Sequence, residues 1–188
     1  MQFQSVPVPN PTLEKLIAEP GPAALGPEVR SARLPIARLE SLLAALFQET
    51  PVSQPSQALL RSAIFLWHDH LEASHSLSQE IQSRDGSCLH GIMHRREPDY
   101  GNAKYWFHLV GAHPCFPGVL DQIQTAPASP SITPFVRACR KASRWDPFAF
   151  VDACEEAADL SQDHPDVRAL QELQEIEFRV LVNHFLTA

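Results

Sequence analysis

Seven of the nine histidines fall between His68 and His113: His68, His70, His75, His90, His94, His108 and His113. Imidazole is the side chain most used for metal ligation and for proton transfer near neutral pH. His68, Glu72 and His75 are spaced by four and then three residues, and so are His90, His94 and Glu97. On a helix each set falls within about 60° of arc and shares one face. Two such helices running antiparallel would bring four imidazoles and two carboxylates together. That donor set suits zinc, nickel or non-haem iron, and bundle interiors are places where such sites are built. The expected cofactor is therefore a divalent transition metal, with His75, His90, His94, His68 and Glu72 as candidate ligands. A metal-free polar pocket and purely structural histidines are the competing readings. The pattern is less specific than the HExxH of zinc proteases, which is absent.

The residues that follow offer charge. Glu97 is a candidate ligand or general base, although Pro98 biases its backbone away from the helical region. Arg95, Arg96 and Lys104 are candidates to hold a small anionic substrate, aided by the N–H groups of a helix that starts after Asp99. Asp99 reads first as the cap of that helix, and with Tyr105 it completes the polar candidates for catalysis. Trp106, Phe107 and Val110 read as core rather than as a stacking platform. No GxSxG elbow, Walker A loop or GxGxxG loop occurs. Cys88 stands two residues before His90, on a different helical face, so the pair is badly placed for nucleophilic catalysis.

The stretch HGIMHRREPDYGNAKYWFHLVGAHPCF, residues 90–116, resembles a group of uncharacterised bacterial and fungal proteins. The group carries an HGIMHRRE-x-D-x-x-NAKYWF-like string and an upstream SH-x-L/I-SQ string, here Ser74 to Gln79. The resemblance runs from Trp67 to Phe116 and implies no particular activity. It places His75, His90, His94, Arg95, Arg96, Glu97, Asp99, Asn102, Lys104 and Tyr105 within the shared string. His68 and Glu72 have no place in it.

The positioning elements read as helices. Proline is frequent, 17 of 188 residues, and glycine scarce, at 7. The prolines stand mostly between apolar-periodic stretches, where they punctuate helices. The expected architecture is an all-α, single-domain irregular bundle of about seven to nine helices with Pro-rich connections. Residues 1–10 read as an extended arm. Helices are expected over 12–19, 36–49, 56–82, 87–97, 100–111, 117–124, 133–142, 147–160 and 165–187. A Pro/Ser loop is expected over 126–134. Ser87 is the expected cap of the 87–97 helix, and a turn at 83–86 containing Gly86 folds that helix antiparallel onto the 56–82 helix. The last helix carries apolar residues on most of its circumference, among them Leu170, Leu173, Ile176, Phe178, Leu181 and Phe185, and so belongs inside the bundle.

Composition narrows the function classes. Fifteen basic against 22 acidic residues give a net charge of −7, which argues against a nucleic-acid binder. The run Ala63–Trp67 is too short to span a membrane. Four cysteines without a CxxC pair, and no secretory signal, read as reduced thiols of a cytoplasmic protein. The function expected is a small metal-dependent enzyme with a His/Glu-lined pocket for a small anionic substrate. A non-catalytic ligand-binding module and a structural helical protein are the alternatives.

Overall fold

The computed structural model describes residues 6–123 and 132–188. Among them are ten helices: α1 (Pro11–Ala18), α2 (Ile36–Glu49), α3 (Gln54–Trp67), α4 (Leu71–Ser78), α5 (Arg84–Arg96), α6 (Tyr100–Val110), α7 (Phe116–Gln122), α8 (Thr133–Ala142), α9 (Pro147–Glu156) and α10 (Pro165–Thr187). No strand occurs among the described residues. The chain is an all-α bundle. The Pro/Ser loop over 126–134 lies mostly outside the described residues, as do the first five residues of the N-terminal arm.

Proline has a definite place in this architecture. Six helices carry it in their first turn: α1, α3, α7, α8, α9 and α10. A missing N–H costs nothing there, because the first N–H groups of a helix lack intrahelical partners. Side chains of Asn10, Ser53, Ser83, Asp99 and Asp146 cap α1, α3, α5, α6 and α9.

Helix α10 runs through the core, with Leu170, Leu173, Ile176, Phe178, Leu181, Val182 and Phe185 buried. Trp67 at the end of α3 stacks on Phe178, ring centroids 4.4 Å apart, and its indole N–H donates to the Ile17 carbonyl of α1 at 2.8 Å. Residues 6–10 form no helix. Val6 and Val8 are buried, and the Val6 carbonyl accepts from Arg179.

The long helix expected over 56–82 is two helices. The chain breaks at His68–His70, where Asp69 adopts φ +60°. Aspartate tolerates this left-handed conformation better than most residues. The reward for the break is tertiary. The buried Asp69 carboxylate accepts from the Arg30 backbone N–H at 2.9 Å, from Arg30 Nε at 2.9 Å and from Arg96 at 2.8 Å. Burial alone would raise the Asp69 pKa, but the bonds from Arg30 and Arg96 outweigh it and hold the carboxyl below its ordinary value.

The connection between α4 and α5 also differs from expectation. Ser83, not Ser87, caps α5, its Oγ accepting from the Gly86 N–H at 3.1 Å. Gly86 is therefore in the first turn of the helix. The pairs Gly86/Ile81, His90/His75 and Arg96/Asp69 step in opposite directions along the chain. Helix α5 thus runs back along α4 and the end of α3, the antiparallel arrangement that the short connection implies. A Cβ on Gly86 would sit 2.1 Å from the Ile81 carbonyl oxygen and 2.8 Å from its Cβ. Gly86→Ala should therefore destabilise the fold by ~1–3 kcal/mol through overpacking, read as a lowered urea midpoint. An unchanged midpoint would show that this close approach is not required.

Candidate metal centre

Three helices supply the site. His75 comes from α4, His90 and His94 from successive turns of α5, and Asn102 and Trp106 from successive turns of α6. The Glu97–Pro98–Asp99 corner joins the last two helices. Glu97 is the C-cap of α5, and the Asp99 carboxylate accepts from the Asn102 N–H at 3.1 Å to start α6. Gly91 lets α6 approach, since a Cβ there would lie 3.1 Å from the Phe107 ring.

The three imidazoles converge. Ring centroids are 4.7 Å apart for His75 and His90, 5.3 Å for His75 and His94, and 4.8 Å for His90 and His94. One ligand nitrogen from each lies within 4.8 Å of the other two. Tetrahedral ligands at ~2.0–2.1 Å from a metal are about 3.4 Å apart. A bound metal would therefore require the nitrogens to draw closer by up to about 1.4 Å. His90 and His94 are buried at 3% and 6% exposure, while His75, Asn102 and Trp106 are half-buried and form the solvent side.

Neighbouring groups fix the His94 tautomer. Its Nδ1 lies 3.1 Å from Glu97 Oε2, and an ionised carboxylate only accepts, so Nδ1 carries the proton. The Asn102 amide then donates to the lone pair on Nε2 at 3.0 Å. A carboxylate hydrogen-bonded to one ring nitrogen of a histidine is the partner that commonly orients metal-binding imidazoles. On the other side, the Trp106 indole stacks on His90 with centroids 3.9 Å apart and planes 13° from parallel. His90 Nδ1 is buried with no hydrogen-bond partner.

Burial pushes His90 and His94 toward their neutral forms. The His90 pKa is lowered to about 4, chiefly by desolvation and further by the neighbouring His94 and His75. That of His94 is lowered by burial against the opposing pull of Glu97. Both shifts place the folded-state value below the unfolded one. The unfolded chain therefore binds more protons as pH falls, and the metal-free protein should lose stability between pH ~6.5 and about 4. The buried His68 is shifted the same way and contributes to the same window. Urea midpoints across this range should fall for the wild type and fall less for His90→Gln. Parallel curves would remove His90 from the explanation.

The other sequence candidates lie elsewhere. His68 is fully buried at the break after α3. Its Nδ1 takes the Leu34 N–H at 3.2 Å and its Nε2 faces the Leu16 carbonyl at 2.9 Å, so both nitrogens are committed to the backbone. Glu72 is exposed on α4 and is not part of the triad. Arg95 and Arg96 face the core at 0% and 1% exposure. Arg95 pairs with Glu177 at 2.6 Å, and Arg96 bonds Asp69 and, at 2.5 Å, the Leu66 carbonyl. Neither is free to meet a substrate anion. Lys104 sits between Asp152 at 2.5 Å and Glu155 at 3.5 Å. Tyr105 is 57% exposed, edge-on to Trp106. Asp99 serves as the cap.

Two residues of the site were not among the candidates. Trp106 reads as core from its type, yet it covers His90. Asn102 stands four residues before it, so the two share one face of α6; that spacing was the available signal. The four cysteines are free and buried, and burial raises the pKa of each. No helix among the described residues is long and apolar enough to cross a membrane. Comparison with family models, curated proteins and solved structures found no match.

Proposed function

We propose that His75, His90 and His94 hold a divalent transition metal, zinc, nickel or iron, and that the site is the centre of a small metal-dependent enzyme. The observation that carries this reading is the convergence of three ligand nitrogens within 4.8 Å, one of them oriented by a carboxylate. Three neutral imidazoles leave an open coordination position, as catalytic rather than purely structural sites do. When bound, the metal supplies Lewis acidity at that position. The chain's own contributions are separable. Glu97 holds the His94 tautomer and Trp106 fixes the plane of His90, while the Asn102 amide must release the His94 Nε2 lone pair before that nitrogen can bind a metal. Three neutral ligands leave the charge of a divalent ion largely uncompensated, so a small anion is the substrate class this centre would attract. Arg95, Arg96 and Lys104 have no part in this reading, because each already faces a carboxylate or carbonyl.

A second reading has one specific observation behind it. The Asn102 amide already occupies the Nε2 lone pair of His94, which suits a metal-free pocket that binds a small ligand without turning it over. Titration of tag-free, chelator-treated protein with zinc separates the two. The metal reading expects one saturable site and about tenfold weaker binding by Glu97→Ala, since loss of such an orienting partner costs about 10–100-fold and Glu97 is partly exposed. No stoichiometric uptake of zinc, nickel or iron would leave the metal-free pocket.

A further inference from the structure

Both ring nitrogens of His94 are engaged. Nδ1 bonds the Glu97 carboxylate at 3.1 Å and so carries the ring's proton. Nε2 keeps its lone pair and takes the Asn102 amide N–H at 3.0 Å. In this tautomer Nε2 is the one nitrogen of His94 that can ligate, and a lone pair held by a donor cannot bind a metal at the same time. The Asn102 amide therefore competes directly with a metal for His94.

Asn102 is free to leave that position. Among the described residues, its side-chain amide bonds His94 alone. The residue is half-buried, so an amide that turns outward exchanges His94 for water. The backbone has no need to follow. The Asn102 N–H stays with the Asp99 carboxylate at 3.1 Å, and α6 remains anchored by the buried Ala103 and Phe107. Departure is a change of side-chain rotamer. Nor does it release the tautomer, because Glu97 holds the Nδ1 proton from the other side of the ring.

Building on the metal reading, on which this inference rests, we propose that Asn102 is a latch that sets how readily the triad takes up its metal. With the latch closed, His94 Nε2 is capped by the amide. Metal entry is an exchange, in which the Asn102–His94 hydrogen bond breaks and the nitrogen–metal bond forms. The apparent affinity is the affinity of the open site multiplied by the fraction of molecules whose latch is open. A hydrogen bond of ordinary net strength keeps that fraction at roughly a third to a tenth. Once the metal is bound the amide is already displaced, so the latch slows association and leaves dissociation unchanged.

The test compares the full, tag-free, chelator-treated chain with Asn102→Leu, which removes the donor at similar volume. Asn102→Ala serves the same purpose should the leucine variant fail to fold. The probe is zinc, with its entry and loss followed by stopped-flow tryptophan fluorescence. The variant should bind zinc about three- to tenfold more tightly, with the gain in the association rate and an unchanged dissociation rate. In ¹⁵N-histidine spectra of the metal-free protein, the variant's His94 Nε2 signal should move toward that of a lone pair without a donor, while Nδ1 keeps its proton. A wild type that binds zinc with no gain in the folded variant, a gain confined to slower dissociation, or an unmoved Nε2 signal would each overturn the latch and leave the metal centre standing. No zinc uptake by the wild type or the variant would overturn both.

Discussion

Replacing His90 and His94 together by alanine should abolish the proposed stoichiometric zinc binding and leave helix content nearly unchanged. The first expectation follows from ligand number. With two of three imidazoles gone, His75 alone remains, a single half-buried ring, and one imidazole binds zinc only weakly. The second follows from where the rings lie. They face one another and the α6 surface rather than filling the main core, so α5 retains its caps and its buried Leu89, Ile92 and Met93. Trp106 loses the ring it stacks on at 3.9 Å, so its fluorescence should change even without metal. The comparison requires cleaved affinity tags, since a polyhistidine tag supplies its own imidazoles. Equal, stoichiometric zinc in variant and wild type would reject the site.

The second large effect is on stability. Glu177→Ala should cost ~3–5 kcal/mol, because it strands the Arg95 guanidinium without its carboxylate at 0% exposure. In a chain of this size that corresponds to a fall in Tm of about 6–20 °C. The environment sharpens the expectation. Arg95 Nε and Nη1 and Glu177 Oε1 already lack partners, and the remaining support for the cation is the Gln174 side-chain oxygen, 3.4 Å from Arg95 Nη2, and the face of Phe150, 4.3 Å from Cζ. The double variant Arg95→Met/Glu177→Leu removes both charges and should recover much of the loss, as paired apolar replacements of buried ion pairs often do. Calorimetric melting of the two single variants and the double one measures the coupling. Additive losses would mean that the pair does not act as a unit.

This ion pair also shows where sequence reading stops. The motif HRRE makes Arg95 and Arg96 look like anion-binding residues beside a histidine pair. Nothing local reveals that their partners are Glu177, 82 positions on, and Asp69, 27 positions back. The same distance effect hid the break at His68–His70. That stretch carries no proline or glycine, and the helix yields there because Arg30 and Arg96 both reach the Asp69 carboxylate. Local punctuation was legible by contrast. Helix α2 spans the expected 36–49, Asp99 starts α6, and prolines mark the starts of α8, α9 and α10. Within the site, the +4 spacing placed His90 and His94 on one face, and the short connection implied that His75 would meet them. His68 shared that spacing only on paper, because the helix needed to carry it ends there. Asn102 and Trp106 had the right spacing too, but an aromatic residue in an apolar stretch gives no sign of which ring it will cover.

X-ray absorption at the zinc edge, on tag-free protein loaded with one equivalent of zinc, tests the metal centre most directly. The account expects a first shell at ~2.0–2.1 Å with the outer scattering of three imidazoles, falling to one in the His90→Ala/His94→Ala variant if any zinc is retained. A shell of oxygens without imidazole scattering, or protein that retains no zinc at one equivalent, would contradict it.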